Sequence, residues 1–197
     1  MKATKIAVMI TCYNRKEKTL ACLSALFAQT LPENAKYQVY LVDDGSIDGT
    51  SEAIAQNFPS IKLIQGDGTL FWNGGMRLAF AEAMKQDYDY YLWLNDDTIL
   101  KRQALNVLLQ QSKLLIERGD DKAIIVGSTK ELDRDVISYG GLVNCGWWTP
   151  LKDRIVEPGK EIKSCDTMHG NCVLIPRAAA KIVGNLDPAF VHNLGDY

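Results

Sequence analysis

The first part of the chain alternates between short β-rich runs and runs with helical spacing of apolar residues. This alternation is typical of βαβ units, in which helices cover both faces of a parallel sheet. In the first run, Ile6, Val8 and Ile10 share one face while Ala7 and Met9 occupy the other, as expected for a central strand buried on both sides. Strands are predicted at residues 5–11, 37–42, 61–65, 90–94 and 123–126.

Helices are predicted between these strands, and the clearest spans about residues 102–118. Its apolar positions recur near helical spacing, and they are Leu105, Leu108, Leu109, Leu115 and Ile116. Gly119 follows directly and can serve as the C-terminal cap of this helix.

The pattern changes after Ser138, where glycines and prolines divide the chain into short strands and turns, with a further strand at residues 171–175. We therefore predict one α/β domain over residues 1–197. Residues 1–127 would form a mostly parallel, nucleotide-type half, and residues 128–197 a smaller mixed β region. The end at Tyr197 has no final helix or polar tail, which indicates a C-terminal truncation.

Composition and charge exclude some classes of function. The chain has 197 residues, of which 47% are hydrophobic and 23% charged, as in ordinary soluble globular proteins. It carries 22 Lys and Arg against 24 Asp and Glu, a formal net charge of -2. Because no positive excess is available to neutralise phosphates, nucleic-acid binding is not expected.

The cysteines indicate a reducing compartment. There are 5, scattered and without a C-x-x-C pair, which argues against a disulfide framework and a structural zinc site. The N-terminus lacks a signal-peptide pattern, and no stretch approaches the roughly 20 apolar residues of a transmembrane helix. We therefore expect a cytoplasmic protein, and peripheral attachment to the inner face of the cytoplasmic membrane stays open.

Three polar clusters directly follow predicted strands. They are Thr11-Cys12-Tyr13-Asn14-Arg15, Asp43-Asp44-Gly45-Ser46 and Asn95-Asp96-Asp97-Thr98. In open α/β sheets, ligands bind outside the carboxyl ends of the strands. The three clusters are therefore expected to converge on one site.

Asp96 and Asp97 are adjacent carboxylates, and their mutual repulsion requires a cation, hydrogen bonds or water as compensation. Magnesium prefers oxygen ligands and binds through one or two carboxylates plus substrate phosphates. The pair is therefore a candidate site for Mg²⁺ or Mn²⁺ and a diphosphate. The alternative is a solvated turn in which either carboxylate caps the following helix.

Asp43, Asp44 and Tyr13 are compatible with a nucleoside pocket. A carboxylate there can accept hydrogen bonds from a base N–H or from ribose hydroxyls, and the Tyr13 ring can stack on the base. The alternative is structural, since Asp-Gly-Ser is also good turn chemistry with Gly45 at φ > 0. Tyr13 would then be a packing residue.

The segment Trp72-Asn73-Gly74-Gly75-Met76-Arg77 opens a predicted helix. Asn73 is the expected N-cap, the two glycines would expose backbone N–H groups to an anion, and Arg77 could contact a phosphate. The alternative for Arg77 is a solvated side chain. Because the chain lacks both G-x-G-x-x-G after the first strand and a P-loop, neither a dinucleotide-dependent oxidoreductase nor a P-loop NTPase is supported.

Together, these segments resemble the successive motifs of family 2 glycosyltransferases, in order and at suitable spacing. The matching segments are residues 11–15, 42–46, 73–77 and 94–98, and residues 170–177 are similar to the family's acceptor-side strand. The resemblance covers essentially the whole chain. It implies a GT-A fold, a nucleotide-diphosphate-sugar donor, a divalent cation (Mg²⁺ or Mn²⁺) and inversion at the anomeric carbon.

The resemblance also implies roles for individual residues. Asp44 would contact the base, Asp96 the ribose or sugar, and Asp97 the metal, while Asp196 matches the catalytic base. Gly195 stands where the family commonly has Glu. The other donor-binding residues expected from these segments are Thr11, Tyr13, Asn14, Arg15, Asp43, Asn73, Gly74, Gly75 and Arg77.

Four further residues have two interpretations each. His192 and His169 could bind metal or substrate, and His192 is the expected metal ligand of the two; a surface or packing role is the alternative for both. Trp147 and Trp148 could form a platform for sugar stacking, but neighbours on a strand point oppositely, so one of them is expected in the core.

The expected reaction is transfer of a sugar, favouring a UDP- or dTDP-sugar, to a hydroxyl of a glycan or lipid-linked acceptor in cell-surface polysaccharide synthesis. Two alternatives remain from the residues. A nucleotidyltransferase would usually bring a Gly-rich, basic loop after the first strand. A non-catalytic nucleotide- or sugar-binding module would keep Asp44 and Asp97 without needing Asp196.

Overall fold

The computed structural model describes residues 3–131, 134–144, 153–159 and 161–191. Strands and helices alternate through its first part. The elements are β1 (Thr4–Cys12), α1 (Lys16–Phe27), β2 (Ala35–Asp43), α2 (Thr50–Asn57), β3 (Lys62–Gln65), α3 (Phe71–Met84), β4 (Tyr90–Leu94), α4 (Ala104–Glu117) and β5 (Ile125–Val126). All five predicted strands are present, with ends within two residues of the prediction.

Shorter elements follow. They are β6 (Thr129–Lys130), β7 (Ile137–Tyr139), β8 (Gly141–Asn144), β9 (Asp153–Ile155), β10 (Thr167–Met168), β11 (Cys172–Pro176) and α5 (Arg177–Val183). Strands β8, β9 and β10 form a small antiparallel sheet, and β6 pairs with β7. These strands correspond to the short strands expected after Ser138.

The main sheet has six strands in the order β3-β2-β1-β4-β11-β5. Strand β1 is central and runs parallel to β2 and β4, and its apolar residues on both faces are fully buried, as predicted. Strand β11 is a correction, because it joins this sheet antiparallel to β4 and β5 instead of extending the smaller β region. All five of its residues are buried, which its apolar sequence indicates, but that sequence does not specify a partner strand.

Helices cover both faces of the main sheet. On one face, Ile6, Val8 and Ile10 pack in a cluster that includes buried residues of α1, α2 and α4. On the other face, Ala7 and Met9 pack in a cluster with α3 and α5. The two-sided burial of β1 thus follows directly from its sequence.

The predicted helix end at Gly119 is confirmed. Gly119 has φ of 93°, and the Asp120 amide donates to the Leu115 carbonyl at 2.9 Å, which closes the end of α4. The predicted cap at Asn73 is wrong, because α3 begins two residues earlier, at Phe71. Within the described residues, every helix is too short or too polar to cross a bilayer.

Candidate active site

The carboxyl ends of β1, β2 and β4 bring the predicted polar clusters to one edge of the sheet. Cys12 lies opposite Asp43 in the parallel register of β1 and β2, and the Asp44 amide donates to the Cys12 carbonyl at 2.9 Å. Beyond β4, the guanidinium of Arg15 reaches both Asp96 and Asp97. The convergence expected from the sequence is therefore present for these three clusters.

Asp43 is fully buried and holds its own loop. One carboxylate oxygen accepts the Ser46 amide at 3.0 Å, and the other accepts the Ser51 hydroxyl. Because no part of this side chain faces solvent, the predicted contact between Asp43 and a donor does not fit this structure. The turn-forming alternative describes Asp43 better.

Asp44 caps the start of α3. Its Oδ1 accepts the Gly68 amide at 2.9 Å, and its Oδ2 accepts the amides of Leu70 and Phe71 at 3.0 Å each. A carboxylate next to the positive end of a helix is favourable. Gly66 is needed here, since a Cβ on it would lie 2.5 Å from Asp44 Oδ1. With three of about four acceptor positions used, one remains for a base N–H.

Tyr13 presents an open ring at this edge, with 52% of its surface exposed. Asn14, at φ of 50°, fixes the Tyr13 loop to the β2 loop. Its amide donates to Ser46 Oγ and its Oδ1 accepts the Ile47 amide, both at 2.8 Å. Asn14 therefore orients the two loops, and the Tyr13 ring stays available for stacking.

Arg15 bridges the two carboxylates that follow β4. Its Nη1 lies 3.0 Å from Asp96 Oδ1, and its Nη2 lies 2.9 Å from Asp97 Oδ2. Thr19, whose hydroxyl donates to Asp96 Oδ2 at 3.3 Å, adds a buried contact. Burial raises the pKa of Asp96 to about 6, Arg15 opposes this shift, and the charge of Asp97 adds to it.

The chemistry of this pair fits a divalent cation. The two carboxylates already hold a positive group, and the Asp97 side chain is 35% exposed, so its oxygens can be reached from solvent. No cluster of three or more His, Cys, Asp or Glu suited to a metal occurs among the described residues. Among the described residues, Asp96 and Asp97 would provide the protein ligands of a Mg²⁺ or Mn²⁺ shell, which phosphates and water could complete.

The start of α3 differs from the predicted anion site. The Gly74 amide donates to the Leu70 carbonyl at 3.0 Å, so it is already used. A Cβ on Gly75 would lie 2.0 Å from Thr11 Oγ1, so this glycine allows close packing of α3 on β1. In this structure Thr11 and Gly75 pack together and the anion at this helix start is Asp44, while the donor contacts of Thr11, Gly74 and Gly75 stay a prediction.

Asn73 and Arg77 also differ from expectation. Asn73 is 2% exposed, and its amide group donates to the carbonyls of Asp187 and Phe190, away from a donor. Arg77 is exposed, as a phosphate contact requires, and its carbonyl accepts the Asn185 side chain at 2.9 Å. The predicted donor contact of Asn73 therefore does not fit, and that of Arg77 stays a prediction.

Two residues that contribute to this edge had no role predicted from the sequence. Thr19 bonds Asp96, and Trp72 Nε1 donates to Asn95 Oδ1 at 2.7 Å, which fixes the β4 loop to the start of α3. Thr19 lies one helical turn after Arg15, a spacing that could have indicated it. Trp72 carried no comparable signal.

Several predicted residues remain outside this description. Asp196, His192, Trp147 and Trp148 lie outside the described residues. His169 lies at Gly140, with its Nδ1 3.2 Å from that carbonyl, and its ring contacts Tyr139 edge-on at 5.2 Å. This is the packing alternative given for His169 above.

The fold has solved relatives among the GT-A glycosyltransferases. TarS of S. aureus, residues 1–349, superposes with a TM-score of 0.63 at 13% identity, covering 98% of this chain and 53% of TarS. The mannosyltransferase PcManGT of Pyrobaculum calidifontis, solved with GDP-Man and Mn²⁺, gives a TM-score of 0.59 at 16% identity, covering 95% of this chain and 48% of that one. The class of the fold is thus GT-A glycosyltransferase.

The family follows from sequence. The model of glycosyl transferase family 2 matches residues 7–178, so the chain belongs to family 2 of the glycosyltransferases. The glycosyltransferase AglE of Haloferax volcanii is 47% identical over 53 residues, which are 27% of this chain and 17% of AglE. The chain spans about half the length of the two solved relatives and a smaller share of AglE.

Proposed function

We propose that this chain transfers a sugar from a nucleotide-diphosphate-sugar donor to an acceptor hydroxyl, with inversion and with a divalent cation. The observation that carries the proposal is the Asp96–Asp97 pair, which holds a cationic group at the carboxyl edge of the sheet beside the open Tyr13 loop. Family membership favours this reaction over nucleotidyl transfer.

The donor side of the site is assigned to residues 1–127. The exposed Tyr13 ring would stack on the base, and the free acceptor position of Asp44 would take a base N–H. Asp97 would hold the metal, with Asp96 contacting the ribose or sugar. Solved relatives with UDP-GlcNAc and with GDP-Man support a nucleotide-sugar donor, and a UDP- or dTDP-sugar is our first choice.

Two charged groups would act during transfer. A metal bound at Asp97 would supply Lewis-acid stabilisation of the departing diphosphate. Arg15, now paired with both carboxylates, can rotate towards the phosphates because its side chain is 42% exposed. Its guanidinium would then pair with the phosphates of the substrate instead of with Asp96 and Asp97.

The acceptor side is assigned to residues 128–197, where Asp196 would remove the proton from the attacking hydroxyl. This role rests on the resemblance in sequence. The acceptor would be a glycan or lipid-linked hydroxyl in cell-surface polysaccharide synthesis. A location in the cytoplasm or at the inner face of its membrane agrees with the free thiols of Cys12, Cys22, Cys165 and Cys172.

Calorimetric titration with UDP, dTDP and GDP, each with and without Mn²⁺, tests the donor side. We expect at least one nucleotide to bind, and Mn²⁺ to strengthen its binding about tenfold or more. Nucleotide binding that is indifferent to Mn²⁺ would contradict the role of the metal. Release of nucleoside diphosphate from a donor panel with mixed acceptors separates an enzyme from a binding module.

A further inference from the structure

Asn73 ties the start of α3 to the segment that follows α5. The side chain is buried to within 2% of its surface, and its Nδ2 donates to the carbonyl of Asp187 at 2.9 Å and to that of Phe190. We propose that Asn73 is a positioning residue that holds residues 185–191 against the donor side of the site. This inference rests on the proposed function.

A second contact fixes the same segment. Asn185 Nδ2 donates to the Arg77 carbonyl at 2.9 Å, one helical turn after Asn73 on α3. Within the segment, the Ala189 amide donates to Asp187 Oδ1 at 2.9 Å, which shapes a turn. The carbonyls that Asn73 holds therefore belong to an ordered turn, which is attached to α3 at two points.

The amide of Asn73 is committed to this contact. Its Oδ1 is buried and has no hydrogen-bond partner among the described residues. Rotating the amide by 180° would place Oδ1 against two carbonyl oxygens, which also only accept, so the observed orientation is fixed. Leaving a buried acceptor unpaired is costly. The Asn73 side chain thus donates two hydrogen bonds through Nδ2 while its Oδ1 accepts none from the described residues.

The contact links the two sides of the proposed reaction. The backbone just before and at the start of α3 is held by Asp44, on the donor side, through the amides of Gly68, Leu70 and Phe71. Asp196, the proposed base, follows Phe190 by six residues in the sequence. Asn73 connects the start of α3 to Asp187 and Phe190, which precede Asp196 in the sequence. Removing its amide should therefore disturb turnover more than nucleotide binding.

The test compares Asn73→Ala and Asn73→Ser with Ala83→Gly, a control that weakens the same helix without touching the contact. Hydrogen exchange is followed in peptides covering residues 185–191. Binding of UDP and GDP with Mn²⁺ is measured by calorimetry. Turnover is measured as nucleoside diphosphate released from UDP-N-acetylglucosamine and GDP-mannose with a mixed acceptor panel.

For Asn73→Ala we expect at least tenfold faster exchange in residues 185–191 and at least a tenfold lower kcat. Nucleotide affinity and donor KM should stay within about threefold of wild type. Asn73→Ser, which keeps one donor, should fall between, and it carries the test if the alanine variant does not fold. Ala83→Gly should leave hydrogen exchange in residues 185–191 and kcat close to the wild-type values.

Two results would overturn the inference. Unchanged exchange in residues 185–191 would show that Asn73 does not hold the segment. A loss of nucleotide affinity without faster hydrogen exchange in residues 185–191 would instead indicate that Asn73 binds the nucleotide sugar. If wild type binds none of UDP, dTDP and GDP, the proposed function fails, while the exchange data still decide whether Asn73 holds the segment.

Discussion

Two pairs of adjacent aspartates lie at the same edge of the sheet, and their partners differ in kind. Asp43 and Asp44 are buried, and their oxygens accept hydrogen bonds from four backbone amides and one serine hydroxyl. Asp96 and Asp97 share one partially exposed side chain, Arg15, and Thr19 adds a single hydroxyl to Asp96.

The difference indicates that Asp43 and Asp44 support the fold, whereas Asp96 and Asp97 have a partner that another cation can replace. Backbone amides cannot leave Asp44 unless the start of α3 rearranges, so this carboxylate is part of the fold. A guanidinium that is 42% exposed can rotate away and leave two carboxylates free for another cation. The same dipeptide thus supports the fold after β2, where Asp44 keeps one acceptor position for the proposed base contact, and after β4 it forms the proposed cation site.

The largest expected effect is on stability at Asp44. Asp44→Ala leaves three amides without their acceptor, so we expect the free energy of unfolding to fall by about 4 kcal/mol in urea titration. Asp97→Ala is the matched control and should change stability by less than about 1 kcal/mol. Similar losses in the two variants would contradict the division into a structural and an exchangeable pair.

The sequence predicts the sheet better than it predicts the site. Two-sided apolar runs identify β1 and its neighbours, because burial on both faces leaves little choice of pattern. The same reasoning cannot tell which sheet β11 joins, since five consecutive apolar residues fit any buried position.

Within the site, motifs located the edge but not the partner of each side chain. Asp43-Asp44 and Asp96-Asp97 are identical dipeptides. Only tertiary contacts decide which of them accepts hydrogen bonds from backbone amides and which pairs with an arginine. Asn73 was expected to face an anion because Asn is a common N-cap. Its actual partners are carbonyls more than a hundred residues away, which no local pattern encodes.

The second expected effect is the pH dependence of the exchangeable pair. Burial raises the pKa of Asp96 from 3.8 to about 6, so the folded state binds this proton more tightly than the unfolded chain. Its stabilisation is therefore complete below about pH 4 and is lost as the pH rises through 6. In EDTA, the unfolding free energy of wild type should fall by up to about 3 kcal/mol more than that of Asp96→Asn between pH 4 and 7. If the unfolding free energies of wild type and Asp96→Asn change equally between pH 4 and 7, the raised pKa of Asp96 is refuted.

The third effect is on metal-dependent binding. Asp97→Ala removes the more exposed carboxylate of the pair, so the Mn²⁺-dependent gain in nucleotide affinity should be lost, a change of about tenfold or about 1.4 kcal/mol. Calorimetry with the nucleotide that wild type binds best measures it. Asp121→Ala, an exposed aspartate outside the site, should bind like wild type. An intact Mn²⁺ effect in Asp97→Ala would place the metal elsewhere.

The smallest effect tests whether Arg15 is exchangeable. If its guanidinium occupies the position of the cation, Arg15→Gln removes a competitor, and Mn²⁺ should bind the nucleotide-free protein about fivefold more tightly. The same variant should bind nucleoside diphosphate in Mn²⁺ more weakly, because a phosphate partner is lost. Lys18→Gln changes net charge equally at an exposed position of α1 and should alter neither titration. If Arg15 exchanges the carboxylates for the phosphates, Arg15→Gln must strengthen Mn²⁺ binding and weaken nucleoside diphosphate binding. Mn²⁺ binding that weakens in Arg15→Gln would instead make the guanidinium a fixed support for Asp96 and Asp97.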